Sequence, residues 1–428
     1  MTLVAEAPGK LYILGEYAVV EPGHRAVLVA VDRTVRVEID ADEEHGLLQS
    51  SGHAPLLWRY DTAGDLCIEE GPEGYYRYVL AALVTVDRWR AESGLPARHC
   101  SLRITSSLDD AATGRKLGLG SSAAVTVATV GALCAFHGLT PSPEQIYRLA
   151  MLATTRVARA TSGGDLAASA LGGWISYASP DRDWLAEAAR TERITDLLER
   201  QWPGLHLQSL GSHEGAEDAP PPVQVRVGWT GEPAETPLLV GKVRRGARIP
   251  QDLLERSDAL VHRFIALLEG TDSPIDTPID APADTPEGAS ANPLANFPAA
   301  CAAGSETHGS DADGGTIGGA DAVEALAQII PAARTLLAEL AHLRGTVIET
   351  PELTVLCDAA LDAGWQGKSS GAGGGDCGIA LGPCGADAAV LEARWSARGI
   401  LPLNLSVSRT GLCVFSQDHI TEPEGVPA

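Results

Sequence analysis

The sequence predicts an α+β protein of two domains. With 428 residues the chain is long enough to form two hydrophobic cores, and a hydrophobic content of 45% excludes wholesale disorder. The first half alternates between short runs typical of strands and longer apolar runs typical of helices. A stretch rich in Gly, Pro and acidic residues, 211–222, separates it from a smaller second set of elements. We therefore expect one domain over residues 1–222 and another over residues 223–428.

The first domain opens with two short apolar runs on either side of Pro8-Gly9. This dipeptide is a turn signal, and it predicts a hairpin-like bend just before Lys10. The predicted strands are Ala26–Val31, Thr34–Ile39, Ser101–Ser106 and Trp174–Tyr177, and the predicted helices are Tyr75–Ala91, Ser121–Phe136, Pro143–Thr155 and Trp184–Leu198.

The second domain is predicted as a smaller α+β unit interrupted by a polar insertion. Its predicted strands are Gln224–Trp229, Cys377–Leu381 and residues 403–407, and its predicted helices are Gln251–Leu268, Asp321–Leu343, Glu352–Gly364 and residues 386–398. The segment Gly270–Gly319 carries a degenerate four-residue repeat of Pro and Asp, and no Lys or Arg occurs between Arg263 and Arg334. Such a composition buries too little apolar surface to offset its conformational entropy. We expect a disordered, solvated linker there, with a regulatory or docking segment as the alternative.

Composition and charge exclude several classes of partner. The net charge is −24, from 32 basic against 56 acidic residues, which argues against nucleic acid and anionic membranes as partners. No apolar run reaches the roughly 18 residues that span a bilayer. The eight cysteines are scattered, so neither a zinc site nor a disulfide framework is indicated. The first motif leaves no room for a signal peptide, and we expect a cytoplasmic protein. Positive charge for a local anion site can come from Lys10, Lys116, Lys242 and Lys368.

A glycine-rich loop at 116–123 predicts a phosphate-binding site. The run Lys-Leu-Gly-Leu-Gly-Ser-Ser-Ala directly precedes small apolar residues that are typical of a buried helix. Glycine lets backbone approach a ligand closely, and a helix N-terminus adds N–H groups and partial positive charge. Ser121 or Ser122 can offer a hydroxyl to a magnesium ion or a phosphate oxygen. The spacing is neither a Walker A loop nor G-x-G-x-x-G, and alone it often only connects a strand to a helix.

Two further segments combine glycine with polar groups. Lys368-Ser-Ser-Gly-Ala-Gly-Gly-Gly-Asp-Cys has four glycines in residues 371–375, followed at once by a strand-like apolar run. This pattern is typical of a backbone cradle for an anion, with a flexible surface loop as the alternative. In Thr161-Ser-Gly-Gly-Asp, Asp165 precedes a small-residue helix, where it can serve as a plain helix cap or as a chemical group.

The segments 7–20, 116–129 and 368–381 together resemble the three motifs of the GHMP kinase superfamily, in the right order and over nearly the whole chain. Gly-Glu-Tyr-Ala-Val-Val at 15–20 and Ser-Gly-Ala-Gly-Gly-Gly-Asp-Cys-Gly at 370–378 resemble the phosphomevalonate kinases in particular. Mevalonate kinases typically carry Gly-Glu-His-Ala-Val instead. The resemblance implies a two-domain GHMP kinase fold, with an N-terminal domain like ribosomal protein S5 domain 2 and a ferredoxin-like C-terminal domain.

The same resemblance implies a transfer of the γ-phosphoryl group of ATP to 5-phosphomevalonate, assisted by Mg²⁺. It assigns catalytic roles to Lys10 and Asp165 and makes Ser121 the magnesium contact. The implied ATP-binding residues are Lys116, Gly118, Leu119, Gly120, Ser121, Ser122 and Ala123. The implied substrate-binding residues are Lys10, Glu16, Tyr17, Lys116, Ser162, Lys368, Ser370, Gly371, Ala372 and Gly373.

Two other functions stay open at this point. A GHMP kinase acting on mevalonate or another small alcohol would need Asp165 to take the hydroxyl proton. A GHMP-fold protein could also bind ATP and a metabolite without catalysis, as a sensor, although the joint presence of Lys10, Ser121 and Asp165 argues against that. We expect a monomer or a homodimer.

Overall fold

The structure is a computed structural model that describes residues 2–62, 64–110, 113–159, 161–211, 221–231, 248–271 and 319–417. The chain divides into two compact units, one formed by residues up to Ser209 together with those from Leu405 onward, the other by Leu210–Asn404. Most of the predicted insertion, residues 212–220 of the predicted connection and Lys242 lie outside the described residues. The division predicted at 222/223 placed the last residues of the chain in the second domain, whereas they belong to the first unit.

The first unit combines a mixed sheet with a layer of helices. Its elements are β1 (Leu3–Leu14), β2 (Arg25–Asp42), β3 (Gly46–Ser50), β4 (Leu56–Tyr60), β5 (Leu66–Glu70), α1 (Glu73–Glu92), β6 (His99–Ser106), α2 (Ser121–Phe136), α3 (Pro143–Thr155), α4 (Gly164–Leu171), β7 (Trp174–Ala178), α5 (Arg182–Thr191), α6 (Ile194–Glu199), β8 (His206–Leu210) and, after the second unit, β13 (Cys413–Ser416). The strand order is β13-β1-β2-β6-β3-β4-β5, with β7 pairing to both β2 and β8.

The N-terminal strand β1 differs from the predicted hairpin-like bend. There is no hairpin at Pro8-Gly9, because β1 continues through it and pairs antiparallel with β2 on both sides. The register shifts between Pro8 and Gly9, so the turn-forming dipeptide marks a β-bulge rather than a chain reversal. The two strands predicted at 26–31 and 34–39 are likewise one long strand.

Helix α2 forms the centre of the first unit and ends where the sequence predicted. Its Ala, Val and Thr side chains are almost entirely buried, and it packs against β1, β2 and three other helices. The helix predicted over 184–198 is two helices, α5 and α6. The break has a visible cause, since the Glu92 carboxylate accepts hydrogen bonds from the backbone N–H groups of Ile194 and Thr195 at 3.0 and 2.9 Å. A side chain from α1 thus caps a new helix start.

The second unit is a four-stranded antiparallel sheet with four helices in the described residues. Its elements are β9 (Val223–Trp229), α7 (Gln251–Glu269), α8 (Gly319–Arg344), α9 (Pro351–Asp362), β10 (Gln366–Ser369), β11 (Cys377–Pro383), α10 (Ala389–Ala397) and β12 (Leu401–Leu403). The strand order is β10-β11-β9-β12. Leu356, Trp365 and Trp395 are among the buried residues of its core.

The last predicted strand, 403–407, is only partly a strand. Strand β12 ends at Leu403, and the chain from Leu405 pairs instead with the first sheet. The Asp32 N–H donates to the Ser406 carbonyl at 3.0 Å, and β13 then aligns antiparallel with β1. The α+β architecture of two domains is confirmed. Among the described residues, no helix combines the length and the hydropathy needed to cross a bilayer.

Candidate functional site

Lys10 lies beneath the glycine-rich loop of the first unit. Its backbone N–H donates to the Leu119 carbonyl at 2.9 Å, and its ammonium Nζ donates to the Gly118 carbonyl at 3.3 Å. The side chain is only 9% exposed. Strand and loop approach this closely because Gly9 has no side chain: a Cβ there would lie 2.8 Å from the Leu119 oxygen. The sequence motifs at 7–20 and 116–123 are therefore one structural site.

The same loop leads into the N-terminus of α2. Gly120 is the residue before the helix, with φ of 83°, and its carbonyl accepts hydrogen bonds from the N–H groups of Ala123 and Ala124. Ser121 and Ser122, the first two helical residues, are half-buried. A helix N-terminus concentrates N–H donors and partial positive charge, and Lys10 adds a full charge beside it. This arrangement can bind a polyphosphate.

Asp165 lies in the first turn of α4, and this helix is hydrogen-bonded to the strand that carries Lys10. The Ser169 hydroxyl, on the same helix, donates to the Pro8 carbonyl at 2.7 Å, and both groups are buried. Gly163, with φ of 83°, precedes the helix, and Asp165 itself is half-buried. Its Oδ1 accepts the N–H of Leu166 at 3.1 Å. The structure thus brings α4 and its aspartate to the strand that carries Lys10.

A group of buried tyrosines supports the turn before α4. The hydroxyls of Tyr12 and Ser162 are 2.8 Å apart, Tyr177 donates to the Ser162 carbonyl, and Tyr147 and Tyr177 share a hydrogen bond of 2.9 Å. Burial raises the pKa of Tyr12 well above its ordinary value, and the nearby Asp165 raises that pKa further. The sequence prediction missed Tyr12, although its position two residues after Lys10 in a strand places both on one face.

Glu16 and Tyr17 form a buried turn at the end of β1, each about 5% exposed. The turn needs Gly15, because a Cβ there would lie 2.3 Å from the Arg25 carbonyl oxygen. Tyr17 has a left-handed backbone with φ of 64°. Burial raises the pKa of its hydroxyl, and Glu16 adds to the effect. Both predicted substrate residues are therefore buried in a tight turn, next in sequence to the Lys10 strand.

Lys116 differs from Lys10 in being exposed. Its backbone forms an isolated β-bridge with Asp109. Burial raises the pKa of the Asp109 carboxyl, and the Lys116 charge opposes that increase. The predicted lysine therefore lies at the start of the phosphate loop with an exposed side chain, and its backbone is paired with Asp109.

The remaining predicted residues lie in the second unit, in and beside the loop between β10 and β11. Gly371, Gly373, Gly374 and Gly375 all have positive φ. The Gly374 N–H donates to the Ile348 carbonyl at 2.8 Å, and a Cβ on Gly373 would lie 2.2 Å from that same oxygen. The Ser370 N–H donates to the Cys377 carbonyl at 3.1 Å, closing the base of the loop. The segment 370–375, which includes Ala372, is consequently anchored at both ends.

Lys368 is the predicted residue whose environment differs most from the expectation. It is completely buried, and its Nζ donates to the Ser369 carbonyl at 2.6 Å. Its charge also helps to keep the pKa of Glu349 below the ordinary value. The expectation of direct substrate contact came from its place at the start of the motif. In the structure the side chain contacts the backbone at the base of the glycine loop, and a contact with substrate stays a prediction.

The donor groups of the first unit suit a magnesium ion that arrives with a nucleotide. Within the described residues, no group of three or more His, Cys, Asp or Glu side chains is placed to hold a metal ion. Mg²⁺ usually keeps several waters and needs only one or two protein ligands beside substrate phosphates. The half-buried hydroxyl of Ser121 and the half-buried carboxylate of Asp165 are oxygen donors of the kind that this ion prefers.

Comparison with known proteins identifies the family of this chain. The family models of the GHMP kinase N-terminal and C-terminal domains match residues 77–173 and 322–401. A phosphomevalonate kinase of Streptomyces sp. strain CL190 is 37% identical, with 96% of this chain and 98% of the relative covered. This chain belongs to the GHMP kinase family. The N-terminal family model includes the phosphate loop and Asp165, and the C-terminal one includes the glycine loop.

Other members of the GHMP kinase family are similar to a lesser extent. A structure of Streptococcus pneumoniae phosphomevalonate kinase in complex with phosphomevalonate and AMPPNP has a TM-score of 0.71 and 26% identity, covering 94% of this chain and 99% of that one. A mevalonate kinase of Thermococcus sibiricus is 30% identical, but over only 41% of this chain and 52% of its own length. The similarity to these two phosphomevalonate kinases covers 94% or more of this chain, whereas the match to this mevalonate kinase covers 41%.

Proposed function

We propose that this protein is a phosphomevalonate kinase, which transfers the γ-phosphoryl group of ATP to 5-phosphomevalonate and yields 5-diphosphomevalonate and ADP. This reaction belongs to the mevalonate route to isoprenoids. The observation that carries the proposal is the 37% identity with a phosphomevalonate kinase over nearly the full length of both proteins. The complex of a second relative with phosphomevalonate and AMPPNP supports the same pair of substrates.

The chemistry needs positioning and charge neutralisation more than a strong base. The acceptor is a phosphomonoester with a second pKa of about 6, so its oxygen is largely ionised at neutral pH. That oxygen forms the new bond to the γ-phosphorus, and the bond from the γ-phosphorus to the β,γ-bridging oxygen breaks, leaving ADP. Lys10 lies beside the phosphate loop and neutralises the charge that develops between donor and acceptor.

The loop from Gly118 to Ala123 holds the nucleotide in this proposal. Its backbone and the N-terminus of α2 face the β-phosphate, where helix N–H groups favour anions. The Ser121 hydroxyl and the Asp165 carboxylate would hold the magnesium ion, which supplies charge neutralisation of the polyphosphate when bound. Asp165 would also help to orient the Lys10 ammonium, and α4 is held to the Lys10 strand by the hydrogen bond from Ser169 to Pro8.

In the first unit, the residues proposed to hold the acceptor lie around the Lys10 strand. Exposed Lys116 and the Ser162 hydroxyl bind the acceptor phosphate, and the buried Glu16–Tyr17 turn binds the remainder of the molecule. In the second unit, the segment from Ser370 to Gly373 is the proposed anion cradle, and the Ser370 N–H closes its base on the Cys377 carbonyl. Lys368 supports this cradle by donating a hydrogen bond to the Ser369 carbonyl at its base. The proposal includes a cytoplasmic location and a monomer or homodimer, to be measured by cell fractionation and by light scattering.

An ADP-release assay with Mg-ATP tests this function. Parallel reactions contain (R)-5-phosphomevalonate, mevalonate or no acceptor. We expect turnover on phosphomevalonate alone. Turnover on mevalonate alone would make the protein an alcohol kinase, with Asp165 as the base that takes the hydroxyl proton. ATP binding without turnover on either acceptor would contradict the proposal and favour a sensor.

A further inference from the structure

Tyr12 contacts two parts of the proposed site at once. It lies two residues beyond Lys10 on the same strand, and the Lys10 ammonium is 5.6 Å from the centre of its ring. Its hydroxyl is 2.8 Å from the Ser162 hydroxyl. The side chain is 8% exposed, so both contacts are shielded from water. A single buried phenol therefore connects the strand of the catalytic lysine to the turn that precedes Asp165.

The backbone of that turn is shaped to the phenol. Gly164, the first residue of α4, has no room for a side chain, because a Cβ there would lie 2.6 Å from the Tyr12 oxygen. The Gly164 N–H points toward the Ser162 Oγ at 3.5 Å. Tyr12 and the Gly164 backbone thus approach the same serine hydroxyl from within the protein.

The hydrogen bond between Tyr12 and Ser162 can leave the serine proton available to a ligand. A serine hydroxyl has one proton and two acceptor lone pairs. Tyr12 keeps its proton at neutral pH, because burial raises the pKa of the phenol. When Tyr12 donates to Ser162 Oγ and the Gly164 N–H occupies the other lone pair, the serine proton is left to point outward. A half-buried hydroxyl whose proton points outward is a donor suited to an anionic acceptor.

We propose that Tyr12 is a positioning residue, whose hydroxyl directs the proton of Ser162 toward the phosphate of the acceptor substrate. This inference rests on the proposed function, since it requires an acceptor that carries a phosphate. It predicts that Tyr12 affects binding of the acceptor much more than binding of ATP.

The test compares two substitutions that each remove one buried phenol oxygen. Tyr12→Phe removes the contact with Ser162, and Tyr147→Phe removes a hydroxyl of the same tyrosine group that contacts Tyr177 instead. Steady-state kinetics are measured for 5-phosphomevalonate and ATP, with melting temperatures. We expect Tyr12→Phe to raise KM for phosphomevalonate about tenfold and KM for ATP less than about twofold, the effect of one hydrogen bond at a charged group. Tyr147→Phe should lower the melting temperature by about as much as Tyr12→Phe does. It should leave the KM for phosphomevalonate and the KM for ATP unchanged.

A double-mutant cycle with Ser162→Ala separates positioning from general loosening. If Tyr12 acts through Ser162, the double variant should be no worse than Ser162→Ala alone. The inference would be overturned if the effects of Tyr12→Phe and Ser162→Ala on KM multiplied in the double variant. It would also be overturned if Tyr12→Phe and Tyr147→Phe had the same kinetics. Wild-type turnover on phosphomevalonate is measured first. Its absence would count against the proposed function, whereas normal wild-type turnover with an unaffected Tyr12→Phe variant would count against the role of Tyr12.

Discussion

Gly120 performs two tasks that a residue with a side chain cannot combine. Its φ of 83° turns the chain into α2, and its bare α-carbon leaves space for the Lys10 stem. An ideal Cβ at this position would lie 3.0 Å from Cε and 3.1 Å from Cγ of Lys10. The position of the ammonium therefore depends on a glycine that does no chemistry itself.

We predict that Gly120→Ala lowers kcat by about tenfold or more, because the new methyl group displaces the Lys10 ammonium, to which the proposed function assigns stabilisation of the transition state. Gly138→Ala is the matched control: that glycine also has positive φ, 72°, but nothing lies within 4 Å of its Cβ position. Both substitutions carry a similar backbone penalty of about 1 kcal/mol. ADP release and urea unfolding are measured for each. Equal kcat in the two variants would show that Lys10 tolerates the displacement.

The sequence yields candidate residues around Lys10, but it does not yield their environments. Lys10, Gly118–Ser122 and Asp165 are candidates because glycine, serine and charged residues in that pattern suggest phosphate chemistry. Tyr12 was missed because an aromatic residue in an apolar strand is indistinguishable from core until its hydroxyl partner is known. The burial of Lys368 was missed for the converse reason, since a lysine is exposed by default.

At the scale of elements, a small ionic network stabilises the segment that supports the glycine loop. Arg334 of α8 donates two hydrogen bonds to Glu349, at 3.1 and 2.6 Å, and Thr354 of α9 donates a third at 3.0 Å. Glu349 directly follows Ile348, whose carbonyl anchors Gly374. Burial alone would raise the pKa of Glu349, but the hydrogen bonds and charge of Arg334 outweigh it and lower that pKa below 4.5.

This network predicts a pH-dependent contribution to stability. A carboxyl whose pKa is lower in the folded state stabilises the protein above the unfolded pKa of about 4.5, and the contribution disappears as pH falls through the folded pKa. We expect wild type to be more stable than Glu349→Gln by about 1 kcal/mol at pH 7, with the difference shrinking below pH 4.5. Urea unfolding across pH measures it, with the exposed Glu352→Gln as control. A difference that stays constant down to pH 3 would contradict this.

The boundaries of elements were predictable where one segment decides them alone. Helices α2 and α3 begin and end as predicted, since their glycine, serine and proline signals are local. The continuity of β1 through Pro8-Gly9 and the break between α5 and α6 depend on partners distant in sequence. Pairing with strand β2 keeps β1 continuous, and Glu92 of α1 causes the break between α5 and α6. Local patterns contain no information on either partner.

At the scale of the whole molecule, the order of elements was predictable and the return of the C-terminus was not. The pairing of Leu3 with Ser416 joins residues more than 400 positions apart, and the four-residue strand β13 is too short to show its partner in its own pattern. The solvated linker between α7 and α8 is a prediction from composition alone, because residues 272–318 lie outside the described residues. What the structure adds is the arrangement of the two helices on either side of it.

Those helices run antiparallel, which brings the ends of the segment together. Arg256 of α7 donates two hydrogen bonds to Glu339 of α8, at 2.7 and 2.8 Å. Arg263 lies later in α7 and donates to Gln328, which lies earlier in α8, at 2.6 Å. Continuing the same register brings the end of α7 at Glu269 opposite the start of α8 at Gly319. Packed helices lie about 8–10 Å apart, a distance that a few extended residues span.

We predict that replacing residues 272–318 with a flexible linker of about six Gly and Ser residues leaves kcat nearly unchanged and the melting temperature within about 3 °C. The helix pair keeps its ionic contacts, and shortening the loop lowers the entropy cost of bringing its ends together. A variant with the residues of 272–318 in reversed order is the control, because it keeps length and composition. If excision and reversal both reduce activity or stability, the native order of this segment makes a specific contact and the solvated-linker interpretation is wrong. If only the excision reduces activity or stability, the protein requires the length or the charge of this segment rather than its sequence.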